Sequence, residues 1–205
     1  KLKSILGRSY VSIQQDALRY VDSGYLNQQG YLRSDYSNRT YTGGSIFKKQ
    51  IRKSDYVFGI EETNALLNGD NFSETVFRSH SKLIADYTLR QNKYEFNLSS
   101  GFQHVYSNDV ISVFRKFAFT PGISMYARKA ISFWGEIHFF AKRTFRMPTF
   151  NELYYGQIGN INLKPEIANQ SNLGSIYRWS FHKNNFEFTY NLFANYIENK
   201  IVAVP

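Results

Sequence analysis

Apolar and polar residues alternate along most of this chain, which is the pattern of extended strands with two unlike faces. The clearest case starts at Tyr94, where Tyr94, Phe96 and Leu98 alternate with Glu95 and Asn97. Nine such stretches can be traced, and no helical period of three to four residues persists between them. The predicted strands lie near 8–20, 31–47, 55–62, 80–90, 94–103, 114–127, 131–143, 171–181 and 185–197. The pattern predicts an all-β chain.

On four of these strands we expect the apolar residues to share one face of the sheet, opposite the polar ones. The four sets are Leu83, Ala85, Tyr87 and Leu89; Tyr94, Phe96, Leu98 and Phe102; Ile131, Phe133, Ile137 and Phe139; and Phe186, Phe188, Tyr190 and Leu192. The sixth strand contains Pro121 and Gly122 in its middle, and these two residues predict a bulge there.

The connections between the strands alternate in length. The short ones are predicted at 48–54, 90–93, 128–130 and 182–184, and the longer ones at about 21–30, 62–79, 105–113 and 144–168. Outer-membrane β-barrels have short turns at one end and longer loops at the other, in this order. A soluble sandwich with Greek-key crossings has no reason to keep such an alternation.

The longest connection, from Thr144 to Glu166, reads TFRMPTFNELYYGQIGNINLKPE and is rich in Gly, Asn and Pro, which favour tight or left-handed backbone. It resembles the barrel signature of TonB-dependent outer-membrane receptors, in which Phe-Arg-Ala-Pro precedes Glu-Leu-Tyr and then Gly-Asn-x-x-Leu-x-Pro-Glu. The matching positions are Phe145, Arg146, Pro148, Glu152, Leu153, Tyr154, Gly159, Asn160, Leu163, Pro165 and Glu166. Met147 departs from the pattern, because a small residue is usual there.

The resemblance implies an antiparallel transmembrane β-barrel, of which residues 1–205 supply about nine of about 22 strands. It also implies active uptake of a scarce nutrient across the outer membrane, such as a cobalamin, a metal chelate (siderophore) or a glycan. The implied partners are outer-membrane lipid, the substrate, and the TonB complex, which the family engages through a plug domain not visible in this chain. The tail NLFANYIENKIVAVP is similar to the tails of cobalamin-type receptors. Both ends of the sequence are expected to be cuts through a longer protein.

The amino-acid composition further restricts the functional class of the protein and its partners. The 16 Tyr, 18 Phe and 2 Trp fit the aromatic girdles of a membrane barrel. The formal net charge of +9 would favour a polyanionic partner in a soluble protein. The cations, however, fall in short clusters between strands, such as 48–53 and 90–93, so we expect no nucleic-acid partner. The chain has no cysteine and its four histidines are widely spaced, so we expect neither a metal site nor a cofactor. It also lacks the common catalytic motifs, and we expect no enzymatic activity.

The candidate substrate-contacting residues are Tyr154, Tyr155 and Gln157, which lie beside Gly156 in the motif. Tyrosine combines apolar stacking area with a polar group, which suits planar or sugar-like ligands. The other motif residues are expected to be structural, with Arg146 and Glu152 holding the root of the loop. This structural set is Phe145, Arg146, Pro148, Glu152, Leu153, Gly159, Asn160, Leu163, Pro165 and Glu166.

Two other classes stay open on the residues alone. A passive porin or adhesin barrel would share the strands and girdles but should lack both motif blocks. A soluble, basic, β-rich module that binds glycans or nucleic acid would differ from both barrels in membrane fractionation. Expressed alone, nine strands with unpaired edges are expected to aggregate.

Overall fold

The computed structural model describes residues 5–22, 32–70, 72, 74–108, 113–131, 134–154 and 159–202. In this part of the chain nine antiparallel strands form one sheet, and their order in the sheet is their order in the sequence. The strands are Leu6–Asp22 (β1), Leu32–Ile51 (β2), Ser54–Gly69 (β3), Val76–Gln91 (β4), Tyr94–Asn108 (β5), Val113–Ile131 (β6), Trp134–Arg146 (β7), Glu166–Phe181 (β8) and Asn184–Glu198 (β9). The predicted all-β, antiparallel fold is confirmed.

One short helix, α1 (Phe150–Tyr154), lies between β7 and β8, inside the motif stretch that was predicted to be a loop without helix. Five residues are too few to show a helical period in the sequence. No helix in the described ranges is long and apolar enough to cross a membrane.

Several strands are longer than their alternation predicts. β3 continues to Gly69 and β4 begins at Val76, so the connection predicted at 62–79 is reduced to 70–75. The two strands stay paired as far as Leu67 and Val76. Polar residues occupy both faces of β3 near Thr63 and Asn64, so the alternation disappears while the backbone hydrogen bonds continue.

The short connections are tight turns of two residues at 52–53, 92–93 and 182–183. Arg52, Asn92 and His182 adopt positive φ values of 52°, 27° and 55°, so each turn places a non-glycine residue in the left-handed region. The turn predicted at 128–130 is wrong by a few residues, because β6 continues to Ile131. Residues 132–133, which connect β6 to β7, lie outside the described residues.

The bulge predicted at Pro121 and Gly122 is also wrong. The pairing of β6 with β5 runs without interruption through these two residues, which lie opposite Ser100 and Ser99. β6 pairs with β7 only from Gly122 onward, so Pro121 has a neighbouring strand on one side alone. A strand tolerates proline under that condition, because no second ladder needs its missing N–H. The register shift of β6 lies instead between Arg128 and Ile131.

The cross-strand register brings the apolar sets together on one face, here called the apolar face. Residues paired across antiparallel strands point to the same side. Leu98 lies opposite both Tyr87 and Ile123, and its side chain is 50% exposed. The same alignment holds for Leu83 with Phe102. On β7 it holds for Ile137 and Phe139, whereas Ile131 belongs to β6 and Phe133 lies outside the described residues.

The opposite face, here called the polar face, carries paired polar side chains. Lys82 Nζ lies 2.8 Å from Glu61 Oε1, and Tyr10 donates its hydroxyl hydrogen to the same carboxylate. His80 Nε2 and Gln103 Oε1 form a hydrogen bond of 2.9 Å. A sheet with one apolar and one polar face is what a water-filled or plugged membrane barrel requires.

An added charge should lower the stability of the barrel on the apolar face and change it little on the polar face. Replacing Leu98 by lysine should lower the free energy of unfolding in lipid by about 2–4 kcal/mol if it lies near the bilayer midplane. The matched control is Thr189→Lys on the polar face of β9, which should change it little. Urea unfolding of the longer receptor in lipid vesicles would measure both. Equal losses for the two variants would contradict the assignment of faces.

Candidate functional site

The connection from residue 147 to residue 165, here called the motif loop, begins with a capped helix. Thr149 Oγ1 accepts a hydrogen bond from the Glu152 amide at 3.2 Å, and Glu152 Oε2 accepts one from the Thr149 amide at 2.8 Å. This reciprocal pair is a capping box, which satisfies two backbone donors that the first turn leaves without partners. A helix of five residues is unstable alone, so it depends on the contacts described next.

Arg146, the last residue of β7, ties the root of the loop to this helix. Its Nη1 donates to both carboxylate oxygens of Glu152, at 3.0 Å each. Arg146 is also the register partner of Glu166, the first residue of β8. Glu166 Oε2 in turn accepts a hydrogen bond from the Ile201 amide at 3.0 Å. The two ends of the loop are therefore joined through backbone pairing and carboxylates.

The apolar side of α1 packs against the polar face of β2, β3 and β4. A buried cluster forms there from Phe150 of the helix with Tyr36, Leu67 and Val76 of the strands. β7 and β4 are separated in the sheet by β5 and β6, so the loop reaches back over the sheet instead of standing off its edge. Burial of these apolar side chains stabilises α1 in this position.

Arg78 of β4 contacts the loop in two ways. Its Nη1 donates to the carbonyl oxygen of Pro148 at 2.6 Å, and its guanidinium carbon lies 4.5 Å from the centroid of the Phe150 ring. Pro148 is fully buried. A guanidinium stacked on an aromatic face gains a cation–π attraction in addition to its hydrogen bond. Arg78 therefore fixes both the backbone and the side chains at the start of α1.

The second half of the loop is closed by local hydrogen bonds around Asn160. Its amide donates to the Glu152 carbonyl at 2.8 Å. Its side-chain oxygen accepts from the Asn162 amide at 2.9 Å, and its carbonyl accepts from the Leu163 amide at 3.2 Å. These contacts explain why the motif has asparagine at this position, since the side chain substitutes for a backbone acceptor. The carbonyl of Pro165 accepts a further bond from Asn199 at 3.3 Å.

The three candidate substrate-contacting residues are placed unequally. Tyr154 is half-buried: its ring lies edge-on to Phe72 at 5.1 Å, and its carbonyl accepts the Tyr36 hydroxyl at 3.0 Å. Tyr155 and Gln157 lie outside the described residues. Ligand contact by these three residues stays a prediction. The sequence analysis missed Arg78, because an arginine on a strand about 70 residues before the motif gives no local signal.

A cavity of about 480 Å³ lies between the root of the motif loop and the polar face of β3, β4 and β5. The strands contribute Thr63, Ala65, Arg78, His80, Lys82 and Gln103, and the loop side runs from Phe145 to Thr149. The volume is within the range of small-molecule sites, about 300–1,000 Å³. Among the described residues no group of three or more acidic, histidine or cysteine side chains could hold a metal ion.

The pKa of Glu152 is lowered by its surroundings. Partial burial acts to raise that pKa, but the Thr149 amide and hydroxyl and the Arg146 guanidinium outweigh it. The pKa of the folded state thus lies below the ordinary value. At pH values above the pKa that Glu152 has in the unfolded chain, its carboxylate stabilises the folded loop. This stabilisation is lost as the pH falls through the lower pKa of the folded state.

Removing the Arg146 side chain should loosen the loop. Arg146→Met breaks a partly exposed charge pair in which Nη1 contacts both carboxylate oxygens, and we expect a loss of about 1 kcal/mol in loop stability. Protease cleavage within the loop should rise, while the heat-modifiable electrophoretic mobility of the barrel stays normal. The matched control is Arg143→Met, since exposed Arg143 has no carboxylate partner in the described part of the chain. Similar cleavage of both variants would contradict the role of the pair.

Acid should also loosen the loop, and Glu152 should be the reason. Below about pH 4.3, the ordinary glutamate value, pepsin cleavage of the loop should rise as the pH falls through the lowered pKa. Glu152→Gln should be cleaved more than the unmodified chain at pH 5 and should show little of this pH dependence. Mass spectrometry of the fragments would measure both. An unchanged profile in the glutamine variant would assign the acid sensitivity to another group.

Comparisons with known proteins agree with this architecture. The family described as "TonB dependent receptor-like, beta-barrel" matches residues 6–205. Among solved structures, one described as "Copper transporter OprC" superposes with a TM-score of 0.63 at 10% identity, over 86% of this chain and 33% of that chain. This chain therefore spans about a third of that transporter, and at this identity the likeness concerns the fold alone. A search of curated proteins found no match. The family match covers nearly the whole chain, which thus belongs to the TonB-dependent receptor β-barrel family of the Gram-negative outer membrane.

Proposed function

We propose that this chain is part of the barrel wall of a receptor that imports a scarce nutrient across the outer membrane, driven through TonB. Membership of the family carries the proposal. The motif loop supports it, because α1 packs on the polar face with Phe150 buried against Val76. A loop held there narrows one end of the lumen, which suits a gated receptor better than a passive pore.

The partners follow from the same proposal. The apolar face contacts outer-membrane lipid, and the TonB complex acts through the plug domain that the family resemblance implies. The substrate is a small molecule or glycan, such as a cobalamin, a siderophore or another metal chelate. The name of the copper transporter supports transport in general, and its metal is not carried over at 10% identity. The receptor acts as a transporter without enzymatic activity.

The experiment is an uptake assay with the full-length receptor in cells that lack their own receptors for the test substrates. Labelled cobalamin, a ferric siderophore and an oligosaccharide would be supplied below micromolar concentration. We expect accumulation of one class, and we expect it to stop when TonB is deleted or the inner-membrane proton gradient is collapsed. The matched control is a receptor that lacks residues 147–165. Its insertion into the outer membrane must be normal for its uptake to be compared with that of the complete receptor.

The opposite result is also defined. A passive porin would be identified by uptake that is independent of both TonB and the proton gradient and that varies only with solute size. Correct folding with no uptake of any tested class and no TonB-dependent growth advantage would leave an adhesin-like barrel as the better function.

A further inference from the structure

The cavity beneath the motif loop has an unbalanced set of charges. Its lining includes three cations, Arg78, Lys82 and Arg146, together with His80, and none of the described residues that line it is a carboxylate. Glu61 and Glu152, the partners of Lys82 and Arg146, are not part of the lining. The side chains that line the cavity therefore carry a net positive charge.

Two of these cations, Lys82 and Arg146, have N–H groups that their ion pairs do not use. Within the described ranges Lys82 makes one ion pair, of 2.8 Å with Glu61, and an ammonium group carries three hydrogens. In the described contacts Arg146 uses Nη1 alone for Glu152, and a guanidinium carries five N–H groups on three nitrogens. Their side chains are 33% and 41% exposed, so neither is sealed by protein. A ligand can reach both without breaking either ion pair.

Neutral polar groups complete the lining. His80 Nε2 and Gln103 Oε1 hold each other at 2.9 Å, and Thr63 adds a hydroxyl group. The loop side adds apolar surface from Met147, and Ala65 adds more from β3. The cavity thus combines cationic donors on the strands with an apolar cover, which is the arrangement that binds an organic anion.

We infer that this cavity is a subsite for an anionic group, a carboxylate or a phosphate, on the small molecule that the receptor imports. The inference rests on the proposed function and narrows its substrate class. Lys82 supplies the main charge contact from the strand wall, and Arg146 supplies a second from the loop root. A lysine binds such groups as a point charge, so both carboxylate and phosphate fit.

The test uses the full-length receptor in detergent, with citrate and inorganic phosphate as separate probes at constant ionic strength set by chloride. Calorimetric titration should show saturable binding of at least one probe. Lys82→Gln should weaken that binding about tenfold, the effect of losing one hydrogen bond to a charged group. Lys82→Arg should retain most of the affinity. Lys116→Gln is the matched control, since exposed Lys116 lies on the same polar face, opposite Val105, outside the cavity.

Each outcome decides the inference. A loss in Lys82→Gln, with rescue in Lys82→Arg and normal binding in Lys116→Gln, supports it, and the better probe identifies the anion. Equal losses in Lys82→Gln and Lys116→Gln would indicate a general field of the lumen and overturn the subsite. Absence of saturable binding in the unmodified receptor would overturn it as well. TonB-dependent uptake that persists in those cases would show that the receptor function stands without the anionic subsite.

Discussion

Backbone hydrogen bonding is the constraint on which this structure depends. A strand that crosses lipid must pair every N–H and C=O group with a neighbouring strand, because the bilayer offers no other partner. Consecutive antiparallel hairpins are the simplest way to meet that demand, and the sheet order from β1 to β9 follows the sequence without a crossover. The same demand explains why strands continue as paired ladders where their side chains no longer alternate.

Once the backbone is paired, the two faces of the sheet are free to differ. The apolar face needs only aliphatic and aromatic surface, so it exposes residues such as Leu98 and Phe188. The polar face must keep charges satisfied in a confined lumen. There, buried Asp55 lies 2.5 Å from Arg90 and 3.5 Å from Lys48, and Arg178 contacts both Glu136 and Glu187. A buried carboxylate is tolerable only with such partners.

The sequence predicted the parts of the fold that one local pattern controls. Between Tyr94 and Phe102 one face of the strand meets lipid and the other meets the lumen. The alternation of apolar and polar residues therefore indicated both the strand and which face is apolar. At Thr63 and Asn64 both faces of the strand are polar, so the sequence shows no alternation there and did not predict that the strand continues. Helix α1 had only the Thr149-x-x-Glu152 capping signature, which is too short to read as a helix without its hydrogen bonds.

The candidate site was less predictable, for a different physical reason. The resemblance placed the important residues in the motif, but the surface that receives the motif is distant in sequence. Tyr36 bonds to Tyr154 across 118 positions, and Arg78 bonds to Pro148 across 70. Contacts of this separation depend on how the strands are arranged, and no periodicity in a single chain specifies them. They also depend on shape, because Phe150 of α1 must pack against the side chains of Leu67 and Val76.

These long-range contacts couple the order of the motif loop to the cavity beneath it. Arg78 lines the cavity and also holds the Pro148 carbonyl and the Phe150 ring. Met147 and Thr149 cover the same space from the loop side. Any movement that lifts α1 from β4 therefore breaks the Arg78 contacts and uncovers the cavity in one step. The described part of the loop is held to the sheet by one small cluster and a few hydrogen bonds, so these contacts are fewer than those that pair the strands.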